Sequence, residues 1–354
     1  MRDIPAAAEL LNRPAAFRNR LITWFIREGR DDPWRQTSDP YAILVSEVML
    51  QQTQVATVLQ GGYFERWMQR FPGVQELAAA EEAAVLKAWE GLGYYRRAVN
   101  LQRTARAVVD QWGGAFPEKE ADLVALPGIG RYTAGAIRAF AYNRPAAVVD
   151  ANVARVLSRL FNWSQCVDST SGREQLWSWA AKLVAPRRAR LFNAGLMELG
   201  QRICLPRRPR CGDCPVRSFC RAEAPELLPL RRTSRPVLSV EEHAVFALRR
   251  GRILLQRPEA GRRAGLWKLP ERPVAELEGI PIGLTTRYSI TCHRVTLHVY
   301  RPEGGRFEAR GPDERWVALP EVDSLPMGAP YRKVLGILRL DALGTFSPLR
   351  GGRK

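Results

Sequence analysis

Asp122-Leu-Val-Ala-Leu-Pro-Gly-Ile-Gly-Arg-Tyr-Thr-Ala-Gly-Ala-Ile137 sets a helix, a tight turn at Gly128 and Gly130, and a second helix in direct succession. Glycine lets such a turn reach positive φ and brings its amides close to an anion, at the positive end of the second helix. A helix-hairpin-helix of this kind, here over about residues 122–138, holds phosphate groups without reading a base sequence. The same residues would also serve as an ordinary helix connection, so the surroundings have to decide.

Outward from the hairpin the pattern stays helical. From about Phe17 to Leu199 apolar residues recur at three- and four-residue spacing, punctuated by Gly and Pro, with almost no strand-like alternation. Ser38-Asp39-Pro40 joins a capping residue to proline at the first helical position and opens a helix expected to run through Thr53. Further helices are expected over roughly 75–90, 97–112, 118–126, 131–142, 151–161, 172–184 and 190–200.

Just beyond them Cys204, Cys211, Cys214 and Cys220 follow as C-x6-C-x2-C-x5-C, amid Arg187, Arg188, Arg190, Arg207, Arg208 and Arg210. Four thiolates close a tetrahedral site that suits zinc or an iron–sulfur cluster. Cys166 and Cys292 stand apart and read as plain buried thiols. In a reducing compartment, such grouping argues for metal ligation over disulfides.

After the cysteines the composition changes. Pro225, Pro229, Arg231, Arg232, Arg235 and Pro236 make a stiff basic linker over residues 222–238. A second domain, expected over 239–350, shows strand-like runs at 243–248, 252–257, 294–300 and 315–319 and a terminal helix at 331–338, a small α+β module.

The chain has 354 residues, 46% of them hydrophobic, which suggests two or three domains with real cores. Lys and Arg outnumber Asp and Glu by 54 to 36, a formal charge of +18 dominated by arginine, whose planar fork suits phosphate. No segment approaches the ~20 apolar residues of a membrane helix, and the first residues lack a signal-peptide core. The expectation is a cytoplasmic protein that binds a polyanion and no membrane.

Five stretches carry a family likeness: Ser46-Glu47-Val48-Met49-Leu50-Gln51-Gln52-Thr53-Gln54-Val55, Trp89-Glu90-Gly91-Leu92-Gly93-Tyr94-Tyr95, the hairpin, Val149-Asp150-Ala151-Asn152-Val153, and the cysteine spacing. Together they resemble the adenine DNA glycosylase (MutY-like) family of the endonuclease III-like superfamily, over about residues 20–222. The resemblance implies a mainly α helix-hairpin-helix glycosylase domain over 1–221 and a [4Fe–4S] cluster on Cys204, Cys211, Cys214 and Cys220. It further implies base excision repair: removal of adenine mispaired with 8-oxoguanine or guanine, flipped out of double-stranded DNA by a monomeric enzyme. A related glycosylase with another preference, such as G·T, and a non-catalytic iron–sulfur DNA-binding protein remain the alternatives.

Cleaving the bond between adenine and its sugar requires protonating the leaving base and stabilising an oxocarbenium-like sugar, hence two carboxyl groups in different environments. Glu47 interrupts an apolar helix, where burial raises a carboxyl pKa, and is the expected general acid toward adenine N7. Asp150 opens a helix as an N-cap; a carboxylate kept ionised by helix amides can also face a sugar cation, electrostatically or through a transient adduct. The resemblance gives Asn152 the task of positioning water or that carboxylate. Tyr132 stands where related lyases carry a Schiff-base lysine; a phenol forms no imine, so a monofunctional enzyme without strong strand cleavage is expected, with Tyr132 lining the pocket.

Gln52 and Leu92-Gly93-Tyr94 match the family's wedge residues, which fill the gap left by the flipped base. Tyr94 would equally suit a core. Trp34, Arg35 and Asn193 match supporting positions, Arg35 at the DNA. The second domain resembles the nudix-like module by which the family reads 8-oxoguanine, with Gly265-Leu-Trp-Lys-Leu-Pro as its clearest echo, no nudix box, and little room between Pro270 and Ser289 for the usual helix. The family's Phe-Ser-His loop becomes Ile290-Thr291-Cys292, with His293 displaced by one, which leaves Thr291 and His293 as candidate opposite-base contacts. Ala194 replaces the usual Gln or Glu near the adenine.

Overall fold

The computed structural model describes residues 10–232, 236–302 and 307–342. Arg235 and the outer limits of the two expected domains, residues 1 and 350, lie outside that description. Among the described residues from Ala15 on, helices run in chain order through the first two thirds: α1 Ala15–Glu28, α2 Pro40–Leu50, α3 Val55–Gln60, α4 Tyr63–Arg70, α5 Val74–Ala79 and α6 Glu82–Ala88. They continue as α7 Arg96–Trp112, α8 Glu120–Ala125, α9 Arg131–Ala136, α10 Ala151–Leu160, α11 Thr170–Leu183 and α12 Ala189–Arg202. Beyond the cysteines come β1 Leu238–Val245, β2 Leu248–Arg249, β3 Arg252–Gln256, β4 Ile282–Ile290, β5 His293–Tyr300, β6 Glu314–Ala318 and α13 Ala329–Ala342. No described helix is long and apolar enough to cross a membrane.

Local chemistry sets the boundaries, and in places it differs from the expectation. Asp39 caps α2 as anticipated, its carboxylate accepting from the Tyr41 amide at 3.0 Å and the Ala42 amide at 3.3 Å. The helix stops at Leu50 rather than Thr53: Gln51 leaves helical geometry and Gln52 adopts φ +61. Those polar residues are exposed and have no apolar face to bury. The expected helix over 75–90 is two helices, broken where Glu81 turns extended. Helices α3 and α4, unassigned from sequence, are short and flank Gly61-Gly62, with Gly62 at φ +56.

The chain condenses into two compact units, which part within the expected linker over 222–238, while residues 79–102 of the helical stretch join the C-terminal unit. One contains residues 10–78 and 103–232, the other 79–102 and 236–342. In the first, α1, α10, α11 and α12 face one another through Phe17, Leu21, Val153, Val156, Leu157, Leu160, Leu183, Phe192 and Leu199, all buried. The three- and four-residue spacing along α10 is what gives that helix a single apolar stripe. Tyr41 ties α2 to α4, donating to the Phe71 carbonyl at 2.8 Å and accepting from Trp67 Nε1 at 3.1 Å, all out of water.

The second unit has two three-stranded sheets, ordered β1-β5-β4 and β2-β3-β6, with β1 parallel to β5 and the other pairs antiparallel. Along β5, Val295, Leu297 and Val299 point inward while Arg294, Thr296 and His298 face outward, the alternation of a one-sided strand. Leu297 and Val299 join Phe246, Ile253 and Leu255 against Tyr331, Val334 and Leu335 of α13. Between Glu271 and β4 the described chain holds one 3₁₀ turn, Val274–Glu276, and no α-helix.

Candidate active site

Glu47 lies on α2, where nine of the eleven residues are buried, and it is itself only 6% exposed. Burial pushes its carboxyl up to about 7, with the nearby Asp150 charge pushing the same way and the Tyr132 hydrogen bond and Arg35 charge opposing. The Tyr132 hydroxyl donates to Glu47 Oε2 at 2.6 Å. Tyr132 sits at the start of α9, directly after the hairpin turn, so hairpin and acid share one rigid connection. Burial holds the Tyr132 phenol well above its ordinary range, so it stays a neutral donor.

Asp150 ends the extended segment before α10 and caps that helix. Its Oδ1 accepts from the Val153 amide at 2.7 Å and its Oδ2 from Asn152 Nδ2 at 2.8 Å. Burial holds its pKa above the ordinary carboxyl range, with these bonds opposing. The bonds act on the charged form and favour the Asp150 carboxylate against that burial. Behind Asn152 stands Arg155, which sequence reasoning missed: its guanidinium donates to Asn152 Oδ1 at 3.0 Å, the Gly200 carbonyl at 2.7 Å and the Cys204 carbonyl at 2.8 Å. A Cβ on Gly200 would lie 2.7 Å from Asn152 Cβ, so α12 approaches the cap as closely as glycine permits. Asn193 holds the segment before Asp150, donating to the Ala146 carbonyl at 2.9 Å. An unremarkable arginine on an amphipathic helix gives no sequence signal for such a role.

The remaining expected residues divide. In the hairpin only Gly128 uses positive φ, at +84; Gly130 is extended at φ −100 and precedes α9. A Cβ on Gly130 would meet nothing within 4 Å, so no protein neighbour demands glycine there. Gln52 is exposed at φ +61, and Tyr94, at φ +46, is 44% exposed. Leu92 is 5% exposed and so is packed within its turn. Arg35 is likewise engaged within the protein: it donates to Glu198 at 2.8 Å and to the Arg30 carbonyl at 2.7 Å, and lies 5.2 Å from the Phe25 ring. It shares the buried carboxylate of Glu198 with Arg30 in one ion-pair cluster.

In the second unit Thr291 occupies the tip between β4 and β5 at φ +54, its hydroxyl 3.3 Å from His293 Nδ1. His293 Nε2 is 3.0 Å from an Arg262 nitrogen. Cys292, expected to be buried, is half-exposed in that tip, 3.6 Å from His293 Nδ1, and Cys166 is half-exposed too. Ala194 lies buried on α12.

Cys204, Cys211, Cys214 and Cys220 are unbridged, and Cys204 and Cys214 pack against the helical core. Burial, reinforced by the other three sulfurs, pushes the Cys214 thiol up to about 11, while the Val216 amide stabilises its thiolate. Among the described residues no three His, Cys, Asp or Glu side chains are gathered closely enough for a single metal ion. Arg159, fully buried, fastens the loop: it donates to Cys204 Sγ at 3.3 Å and to the carbonyls of Leu205, Pro206 and Leu228 at 2.6, 3.0 and 3.1 Å.

Residues 45–182 match the HhH-GPD superfamily base excision DNA repair protein family, and residues 204–220 match the iron-sulfur binding domain of endonuclease III. The chain therefore carries a [4Fe–4S] site in that second segment. It is 48% identical over 216 residues to the adenine DNA glycosylase of Homo sapiens, a match covering 58% of this chain and 39% of that protein. The chain thus spans well under half of that relative's length. The adenine DNA glycosylase of Mycolicibacterium smegmatis is 42% identical over 202 residues, covering 57% of this chain and 67% of that protein. A solved thermostable thymine-DNA glycosylase superposes with a TM-score of 0.54 at 31% identity, covering 59% of this chain and 95% of its own. With two thirds of one such relative matched at that identity and both family segments in a single sequence, the chain belongs to the adenine DNA glycosylase family, within the HhH-GPD superfamily of base excision DNA repair proteins.

Proposed function

We propose that this chain is a monofunctional DNA glycosylase that binds duplex DNA as a monomer and removes adenine mispaired with 8-oxoguanine or guanine. Its setting would be the cytoplasm, on chromosomal DNA. The observation that carries the reading is the buried Glu47 carboxyl, raised to about 7 and held by the Tyr132 hydroxyl within electrostatic reach of Asp150. Protonated Glu47 gives its proton to adenine N7 as the bond from C1′ to N9 breaks and its electron pair leaves with the base. The Asp150 carboxylate, fixed by the Val153 amide and Asn152, faces the cationic C1′. Water then adds to C1′, and its proton returns to Glu47, restoring the acid. The Tyr132 hydroxyl stabilises Glu47 while it is ionised and offers no amine to carry the reaction on to strand cleavage.

Around this chemistry, the amides at Gly128 and Gly130 hold backbone phosphate, and Gln52 and Tyr94 enter the stack. Cys204, Cys211, Cys214 and Cys220 are the proposed ligands of the cluster, which when bound supplies a structural clamp for the basic loop. The helical part is read as the catalytic domain, and the C-terminal module, through Thr291 and His293, as the reader of the opposite base.

Single-turnover cleavage of duplexes carrying A opposite 8-oxoguanine, A opposite G and T opposite G tests the reading. Excision of adenine, without borohydride-trapped strand cleavage, is expected. Excision of thymine alone would move the protein toward the G·T reading, which the likeness to a thymine-DNA glycosylase makes the arm to compare. DNA binding without excision in any arm would leave only a non-catalytic role.

A further inference from the structure

The turn Gly91–Tyr94 belongs to the same compact unit as the C-terminal sheets and helix, although more than a hundred residues of sequence separate them. Two sets of bonds hold it. The inner set closes the turn on itself: buried Trp89 donates through Nε1 to the Gly93 carbonyl at 3.0 Å, and Arg97 donates to the Leu92 and Gly93 carbonyls at 2.9 and 3.3 Å. The same guanidinium lies 5.2 Å from the Trp89 ring and 5.6 Å from the Tyr94 ring. These bonds keep Gly91, Gly93 and Tyr94 at positive φ, a conformation that a non-glycine residue such as Tyr94 adopts only when its neighbours enforce it.

The outer set comes from the C-terminal segment and grips both ends. Glu90, the residue before the turn, accepts from Arg332 Nε at 2.6 Å and from a second Arg332 nitrogen at 3.1 Å. Arg332 is itself oriented by the Val322 and Leu325 carbonyls at 2.9 and 2.6 Å, so its fork meets the carboxylate in a fixed pose. Tyr95, the residue after the turn, donates to the Met327 carbonyl at 2.8 Å. Nearby, Gly265 sits flush on α6: a Cβ there would lie 3.0 Å from Leu86.

We infer that Arg332 and Tyr95 are positioning residues that make the stack-entering turn a mechanical part of the C-terminal unit. This rests on the reading of Tyr94 as a wedge. Held at both ends, Tyr94 takes its pose from the piece of protein that carries Thr291 and His293, whereas Glu47 and Asp150 belong to the other unit. Opening the duplex and reading the opposite base are then one operation, and breaking the bond is another. An arginine whose fork is taken up by Glu90 and two carbonyls governs how readily the adenine leaves the stack, and has no part in how fast it is cleaved once out.

The test uses the full-length, cluster-containing protein and duplexes with 2-aminopurine beside the target adenine, whose fluorescence reports extrusion, together with single-turnover excision. A second substrate places the adenine opposite an abasic site, where it is already unpaired. Arg332→Gln is expected to lower extrusion and excision from the paired duplex by about tenfold, the size of a lost charge-assisted hydrogen bond. Excision from the unpaired substrate should stay within about twofold, since the cleavage step is untouched. Tyr95→Phe, which deletes one hydroxyl and threatens folding less, should show the same split more weakly, and the paired exchange Glu90→Arg with Arg332→Glu should recover part of the loss. Equal losses on both substrates, or none on either, would overturn the inference. If the unsubstituted protein excises adenine from neither substrate, it is the proposed activity that fails.

Discussion

Replacing Glu47 with glutamine should abolish excision and at the same time make the protein more stable at alkaline pH. The carboxyl is buried and its pKa is raised from 4.5 to about 7. At ~1.4 kcal/mol per unit, the shift corresponds to about 3 kcal/mol of differential interaction between its two protonation states. Because the folded value is the higher one, the folded protein holds a proton that the unfolded chain has already released between the two values. The associated stability is fully present at acid pH and is lost as pH rises through about 7, where the native state carries a buried charge. Glutamine keeps an oxygen to accept from Tyr132 and has no charge to bury. The stability difference between Glu47→Gln and the parent should therefore grow by roughly 2–3 kcal/mol between about pH 5 and about pH 8. For a unit of this size that is on the order of 5–10 °C in Tm. Thermal melts of both proteins at the two pH values measure it, and any fixed packing offset cancels in the comparison. A Tm gap that does not change with pH would refute the buried-proton argument, as would undiminished excision by the variant.

Excision by the parent should decline as pH rises above about 7, as Glu47 loses its proton, and a rate constant that stays flat up to about pH 9 would contradict its role as the acid. Tyr132→Phe removes the bond that lowers the Glu47 pKa, so the alkaline limb of the pH–rate profile should move to higher pH, with a lower maximal rate. Gly200→Ala forces a Cβ against Asn152 and should cost about 1–3 kcal/mol of stability, read as Tm, with a further loss of single-turnover rate from a displaced Asp150 cap. Gly130→Ala should fold with an unchanged Tm, because no neighbour occupies the space, yet bind duplex DNA about tenfold more weakly in a titration if a phosphate approaches there.

The elements that sequence reading located are those whose local chemistry and tertiary role agree. Asp39-Pro40 opens α2, Gly128 makes the hairpin turn, and Glu47 stands out as an acid among apolar neighbours; each announces itself within a few residues. What escaped depends on partners distant in sequence. Arg155 and Arg159 look like ordinary helix arginines, and only the fold brings the Gly200, Cys204 and Leu228 carbonyls to them. Arg35 shows no sign in sequence that Glu198 will claim it, nor Leu92 that it will be buried. Division of the chain at residues 79 and 102 was equally illegible, because no change of composition marks those points: α6 has the same amphipathic pattern as its neighbours, and the partner that covers it is encoded far downstream.

That distant partner has a consequence for biosynthesis. Residues 79–102 leave the ribosome about 136 residues ahead of β1, the first strand of the unit they belong to. At roughly 5–20 residues per second, this segment waits on the order of ten seconds with Leu86, Trp89 and Leu92 lacking their final surroundings. Nascent chains stalled before residue 238 should therefore engage a holding chaperone through this stretch and release it once the C-terminal helix has emerged.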